Sequence, residues 1–185
     1  LITEIILPSS VKSIGNEAFY ECTALKKAVI GDGVESMGKG LFSYTEIEEV
    51  TLPFAGDTRE GVENNTSNNI NYVLFSDNSY GYGHSSALRT ITITGGSIVP
   101  EQAFRNISTV TGIILPDTIK EVKSNAFWNC TGLERILFRG NAPVIASNAF
   151  NNVTTNAYYP KDDTAWTADK LQNYGGTITW NPITP

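Results

Sequence analysis

Apolar residues recur along the chain in one phrase, apolar-x-x-apolar-x-apolar, which begins at Ile2, Leu25, Ile47, Leu88, Val110 and Leu133. The starts lie about 23 residues apart, except that Ile47 and Leu88 are nearly twice as far from each other. A second marker keeps the same phase. The pair Ala-Phe occurs at Ala18-Phe19, Ala103-Phe104, Ala126-Phe127 and Ala149-Phe150, with Leu41-Phe42 in the same role. The step from Phe19 to Phe42 equals those from Phe104 to Phe127 and from Phe127 to Phe150. Self-similarity at such a period marks a repeat architecture.

Each unit has a physical reading. Short segments rich in β-branched residues, such as Ile5-Ile6-Leu7, Ile91-Thr92-Ile93 and Ile113-Ile114-Leu115, predict strands, and Pro8, Pro53 and Pro116 end them. A second extended piece follows, as at Val11 to Ile14 or Ile119 to Val122. Next comes a turn with a short helical piece carrying Ala-Phe, where Ala permits close approach and Phe fills the interior. One unit cannot bury its own apolar face, so the units stack. The predicted fold is an α/β repeat solenoid, with a parallel β-sheet on one face and short helical or irregular pieces opposite. Six repeats occupy residues 1–155.

The interval from Ile47 to Leu88 is longer than the period, and the surplus can be placed. Counting back from Leu88 puts Gly81-Tyr82 in the Ala-Phe place and Val73 to Phe75 near the second extended piece. Phe54 to Asn71, almost wholly polar, is then an inserted surface loop in the third repeat. Residues 156–185 read as a last strand and a C-terminal cap. The cap has a helix over about 164–174, with Asp163 or Thr164 as N-cap and Trp166, Leu171 and Tyr174 on its apolar side, then a strand over about 177–180. The chain begins within a strand, from which a longer protein is expected, with any signal peptide upstream.

The best copies, LPSSVKSIGNEAFYECTAL (Leu7 to Leu25) and LPDTIKEVKSNAFWNCTGL (Leu115 to Leu133), resemble the BspA-like class of bacterial leucine-rich repeats. The resemblance covers about residues 1 to 160. It departs from the pattern in the third repeat and at Leu41, which stands in place of Ala. It implies a leucine-rich repeat exported to the bacterial cell surface, a class in which some members are adhesins for host matrix proteins or other cells. A host or bacterial surface protein or glycan is the implied partner. The function expected is non-enzymatic binding or adhesion, and the alternative is a structural spacer within a larger surface protein.

Composition narrows the field. With 13 Lys+Arg against 19 Asp+Glu the net charge is −6, and the basic residues are scattered, which argues against nucleic acid. No apolar run approaches a membrane span, so this segment is not expected to insert. At 185 residues, 41% hydrophobic and 17% charged, the chain should fold without disulfides or metals. Cys22 and Cys130 hold the same place in repeats one and five, roughly 19 Å apart at about 4.8 Å per coil, too far to pair. Both read as small buried core residues. His84, the one histidine, reads as a turn residue in the place of Asn106, Asn129 and Asn152. There is no Cys-x-x-Cys pair and no phosphate loop, so no metal or cofactor is expected. Asp57, Glu60, Glu63 and Asp77 lack calcium-loop spacing and read as solvated charge. The glycosylation patterns at Asn106, Asn129 and Asn152 recur with the repeat, which explains them without a glycan. No pair of acids stands out for hydrolytic catalysis.

What remains is the sheet face. In each repeat phrase the third and fifth residues point away from the core. The fifth column reads Ile6, Val29, Thr51, Thr92, Ile114, Leu137 and Tyr158; the third reads Glu4, Lys27, Glu49, Thr90, Gly112, Arg135 and Asn156. An apolar stripe of about 29 Å beside a mixed-charge column containing Lys27 and Arg135 is a candidate binding face. The same residues are also simply good strand formers. A second candidate surface is the insert, with Phe54, Asp57, Arg59 and Tyr72, followed by Phe75, Tyr80 and Tyr82. Its aromatics equally suit plugging the irregular third coil.

Overall fold

The structure, a computed structural model, describes residues 1–59, 69–76 and 87–184. In chain order its strands are β1 (Glu4–Leu7), β2 (Ser13–Ile14), β3 (Lys27–Ile30), β4 (Ser36–Met37), β5 (Glu49–Leu52), β6 (Thr90–Ile93), β7 (Ile98–Val99), β8 (Gly112–Leu115), β9 (Glu121–Val122), β10 (Arg135–Phe138), β11 (Val144–Ile145), β12 (Thr154–Pro160) and β13 (Thr177–Ile183). The longer strands form one eight-stranded parallel sheet in the order β1-β3-β5-β6-β8-β10-β12-β13. The short ones form two side sheets, β2-β4 and β7-β9-β11. The repeating coil is thus a strand, a corner, a short strand and a turn, and the molecule is a parallel-sheet solenoid of about seven turns.

Register keeps like residues together. Ala28, Val50, Ile91, Ile113, Ile136 and Ala157 are adjacent across the sheet and fully buried, forming its core face. Opposite the sheet, turns bond to the next coil: Phe19 N–H donates to the Leu41 carbonyl, Phe104 to Ala126, Phe127 to Ala149 and Phe150 to Tyr174. The rings stack above these bonds, with centroids 5.3 Å apart for Phe19–Phe42, 5.1 Å for Phe104–Phe127 and 4.6 Å for Phe127–Phe150. Helix is scarce, and the helical half of the α/β expectation is not confirmed. Among the described residues there is one six-residue α-helix, α1 (Ile70–Phe75), and one three-residue 3-10 helix, Ala168–Lys170. The reason is in the bonding: an α-helix satisfies its backbone internally, whereas these turns spend theirs on the neighbouring coil.

Two residues after each ring position the backbone is left-handed, at Glu21, Tyr44, Asn106, Asn129 and Asn152, with φ between 55° and 63°. Among residues with a side chain Asn tolerates this region best, and here its side chain adds a ladder of its own. The Asn129 amide donates to Asn106 Oδ1 at 3.0 Å, and the Asn152 amide to Asn129 Oδ1 at 2.6 Å. His84, expected in that column, lies outside the described residues. Ser76, with φ 58°, repeats the left-handed turn in the third coil.

That coil is built differently from the expectation. Leu41 and Phe42 donate to the carbonyls of Val73 and Leu74, and Ile70 donates to Ala103, so α1 bridges the second and fourth turns. Leu74, fully buried, accepts from Phe42 as Leu41 does from Phe19, and Phe75 after it is buried. Gly81-Tyr82, expected there, falls outside the described residues. Nor is Phe54 to Asn71 one solvated loop: Phe54, Ala55, Ile70 and Asn71 are buried, and Met37 N–H donates to the Asp57 carbonyl, extending the side of the solenoid. Arg59 fastens the turn, its guanidinium donating to the carbonyls of Asp32 and Val34 and lying over the Phe54 ring.

The C-terminal segment departs from the predicted helix over 164–174. Asp163 Oδ1 accepts from Ala165 N–H in a tight turn, and only Ala168–Lys170 is helical, as a 3-10 turn. Tyr174 must present its carbonyl to Phe150, and it and Gly175 are left-handed with φ 46° and 87°. The left-handed backbone at Tyr174 is incompatible with a helix running to that residue. The following strand is longer than expected, running to Ile183 in parallel register with β12. Trp166 and Trp180 close the end against Phe138 and Tyr159, their ring nitrogens donating to the carbonyls of Gly140 and Gln172. At the other end β1 is an edge strand, and the first coil has a neighbour on one side only. Cys22 is therefore exposed, contrary to its expected burial, while Cys130 is buried and donates to the Phe104 carbonyl. Burial pushes the Cys130 pKa up to about 12.

Two outcomes follow. Phe127→Ala removes a ring sandwiched between two others and should cost about 3–5 kcal/mol in chemical denaturation, against about half that for the half-buried Phe19→Ala; equal losses would mean that the stack does not carry the packing. In native protein at pH 8 a thiol reagent should label Cys22 alone, with Cys130 reacting only after unfolding. Because Cys130 holds its proton to higher pH when folded, stability should fall as pH rises from about 9 towards 12.

Candidate functional site

The outer face of the sheet carries both predicted columns in register. Ile6, Val29, Thr51, Thr92, Ile114, Leu137 and Tyr158 are adjacent strand by strand, as are Glu4, Lys27, Glu49, Thr90, Gly112, Arg135 and Asn156. The first column is apolar at both ends with Thr51 and Thr92 between. Ile6, on the edge strand, is 66% exposed, while its six counterparts are half-buried by their neighbours.

Charge divides this face into unlike halves. Toward β1 the cations are neutralised by the next coil: Lys27 lies 3.5 Å from Glu4, Lys26 lies 3.1 Å from Glu48, and on the flank Lys12 lies 3.7 Å from Glu35. Such exposed pairs add little stability, but they cancel the local field. Toward β13 the pattern changes. Arg135, on β10, leans across the neighbouring strand, where Gly112 leaves the space; a Cβ there would lie 3.1 Å from Arg135 Nε. The guanidiniums of Arg135 and Arg139 make no hydrogen bond or ion pair among the described residues.

Beside Leu137, at the carboxyl ends of the strands, lies a groove of about 540 Å³. Pro116, Leu137, Phe138, Pro160 and Ile183 form its apolar lining, and Thr94, Asp117, Arg139 and Thr184 its polar edge. The strand-ending prolines create it, because each turns the chain away from the sheet at the same height. The sequence pattern singles out Leu137 and Arg135 but not Arg139, Gly112 or the groove itself. Alternation over Arg135, Leu137 and Arg139 is the available signal, since residues two apart on a strand share a face.

The four residues expected to form an insert surface do not make one exposed patch. Phe54 is 1% exposed, while Arg59 is exposed, bonds to the carbonyls of Asp32 and Val34 and lies over that ring. Asp57 and Tyr72 instead share a separate pocket of about 360 Å³ with Asn16, Met37, Gly38, Lys39 and Val73. Glu60, Glu63, Asp77, Tyr80 and Tyr82 lie outside the described residues. No group of three or more His, Cys, Asp or Glu side chains arranged to hold a metal occurs among the described residues. No helix among them is long and apolar enough to cross a membrane.

A family model for the BspA type leucine rich repeat region matches in six copies over residues 1–86 and 76–160. No curated protein matches the chain. Among solved structures, a leucine rich cell surface protein from Faecalibacterium prausnitzii A2-165 is 21% identical with a TM-score of 0.43, over 91% of this chain and 34% of that one. The chain therefore spans about a third of that protein. A T. pallidum leucine rich repeat protein is 14% identical with a TM-score of 0.44, over 89% of this chain and 76% of its own. A leucine-rich repeat protein from Bacteroides ovatus is 17% identical with a TM-score of 0.35, over 97% of this chain and 54% of its own. With six repeat copies matched across residues 1–160, the chain belongs to the BspA-type leucine-rich repeat family.

Proposed function

We propose that this chain is a non-enzymatic binding module of a bacterial cell surface, adhering to a protein or glycan partner through the outer face of its sheet. The observation that carries this reading is the column Ile114, Leu137 and Tyr158, held in register beside Arg135 and opening into the groove. A rigid sheet presents these side chains at fixed spacing, so little ordering entropy is lost on binding. Apolar side chains in contact across several strands, rimmed by polar groups, are the surface type that partners cover. Membership of a repeat family supports the same reading, because stacked repeats form extended surfaces of this kind.

The test is binding of the parent and of an Ile114→Glu/Leu137→Glu variant to extracellular-matrix proteins, mucins and bacterial or dietary polysaccharides. Saturable binding by the parent should fall at least about tenfold in the variant, with far-UV circular dichroism unchanged, since two buried carboxylates desolvate at high cost. Undiminished binding by the folded variant would remove the sheet face as the site. Absence of binding by both proteins would favour a spacer.

A further inference from the structure

The binding half of the sheet face has a chemistry of its own. Strand β10 and the residue that follows it place Arg135, Leu137 and Arg139 at alternate positions, so two guanidiniums flank one apolar side chain. Their Cα atoms are about 13 Å apart, four residues at about 3.3 Å each. The Lys side chains of the first coils are spent on Glu4, Glu48 and Glu35, whereas these two guanidiniums have no partner among the described residues. Arg135 is also held flat, since Gly112 beneath it has no side chain to lift it.

We infer that this strand and its groove recognise an acidic, extended peptide segment with the pattern acid-x-apolar-x-acid. The inference rests on the sheet face being the binding surface and adds the chemistry of its partner. An extended peptide also advances about 3.3 Å per residue, so acids four residues apart match the spacing of Arg135 and Arg139. Carboxylates accept bidentate bonds from guanidinium, so two such contacts at this spacing favour a segment with two acids over a neutral or basic one. The residue midway between them faces Leu137 and enters the groove among Pro116, Phe138, Pro160 and Ile183. Asp117 also lines the groove, at its Arg139 end beside Gly140. An acidic polysaccharide offers the charges but has no apolar side chain for the groove.

The net charge of −6 does not oppose this. At 0.1 M salt the screening length is about 10 Å, so a carboxylate in contact with these guanidiniums responds to them over distant acids. The locally uncompensated cations then decide which ligand is held.

The measurement is fluorescence anisotropy at 0.1 M salt with three labelled dodecapeptides whose centres are Glu-Thr-Leu-Thr-Glu, Lys-Thr-Leu-Thr-Lys and Glu-Thr-Ser-Thr-Glu. The first should bind saturably, the second not at all, and the third about tenfold more weakly, as a lost apolar contact implies. Arg135→Gln and Arg139→Gln should each weaken the first peptide by about tenfold. Lys12→Gln, the same charge change away from the face, should leave it unaltered. Equal binding of the acidic and basic peptides, insensitivity to both Arg substitutions, or no binding of the first peptide overturns the inference. So does tighter binding of polygalacturonate than of the first peptide, which would point to an acidic glycan. If the peptides fail while a matrix protein or mucin still binds and is lost in the Ile114→Glu/Leu137→Glu variant, the acidic specificity falls and the sheet face stands. If that binding is absent too, both readings fall.

Discussion

Everything in this solenoid answers to one spacing, the separation of hydrogen-bonded parallel strands at about 4.8 Å. The ring stack meets it, with centroids between 4.6 and 5.3 Å, and so do the Asn106, Asn129 and Asn152 amides that reach from turn to turn. Sheet, ring stack and amide ladder are therefore commensurate, and each repeats the separation set by the others. A residue that fits one coil fits all of them, which is why the same side-chain types recur once in every period. Interior coils are covered on two sides and the first on one. Phe19 is half-buried and Cys22 exposed where Phe127 and Cys130 are enclosed.

The third coil and the C-terminal segment show how this constraint is kept when the sequence departs from the pattern. Between Phe42 and Phe104 the hydrogen-bond ladder continues through Val73, Leu74 and Ile70, with Phe75 buried after Leu74. A single helical turn works there because its outer carbonyls still reach Leu41 and Phe42, and Ser76 repeats the left-handed exit. At the far end Tyr174 supplies the last carbonyl and β13 the last strand. Trp180 takes the position that Ala157 and Ile136 hold in the two preceding strands, closing the core with one large ring. Pro182 lacks a backbone donor and Asn173 caps the Ile178 N–H, so this outer edge is poorly suited to a further strand.

On the outer face the same spacing sorts charge. Alternation of Glu4, Lys27 and Glu49 in one column lets neighbours neutralise each other, and that end of the face is electrically quiet. Thr90 and Gly112 interrupt the alternation, and Arg135 arrives with no acid beside it. The smallest residue in the column thus has the largest effect on the face, because it gives the guanidinium a place to lie without giving it a partner. Where the apolar column adjoins this half, it meets a groove cut by strand-ending prolines.

The solenoid, its period, its strands and the identity of both outward columns are legible in the chain alone. They depend on local alternation and on a near-constant number of residues per coil, and both are countable along a sequence. The rest depends on contacts between coils. The predicted helix over 164–174 has a cap and an apolar side, but Tyr174 takes a left-handed backbone as it gives its carbonyl to Phe150, a contact that no local pattern records. Phe54 sits in a polar run and reads as surface, yet it is buried in the core, with Arg59 lying over its ring. Arg139 and Gly112 carry no motif; one matters through a groove assembled from several coils, the other through the space it leaves for its neighbour on the next strand. A repeat writes its period into the sequence because every coil obeys it, whereas a site arises where coils differ, and that difference acts only once they are side by side.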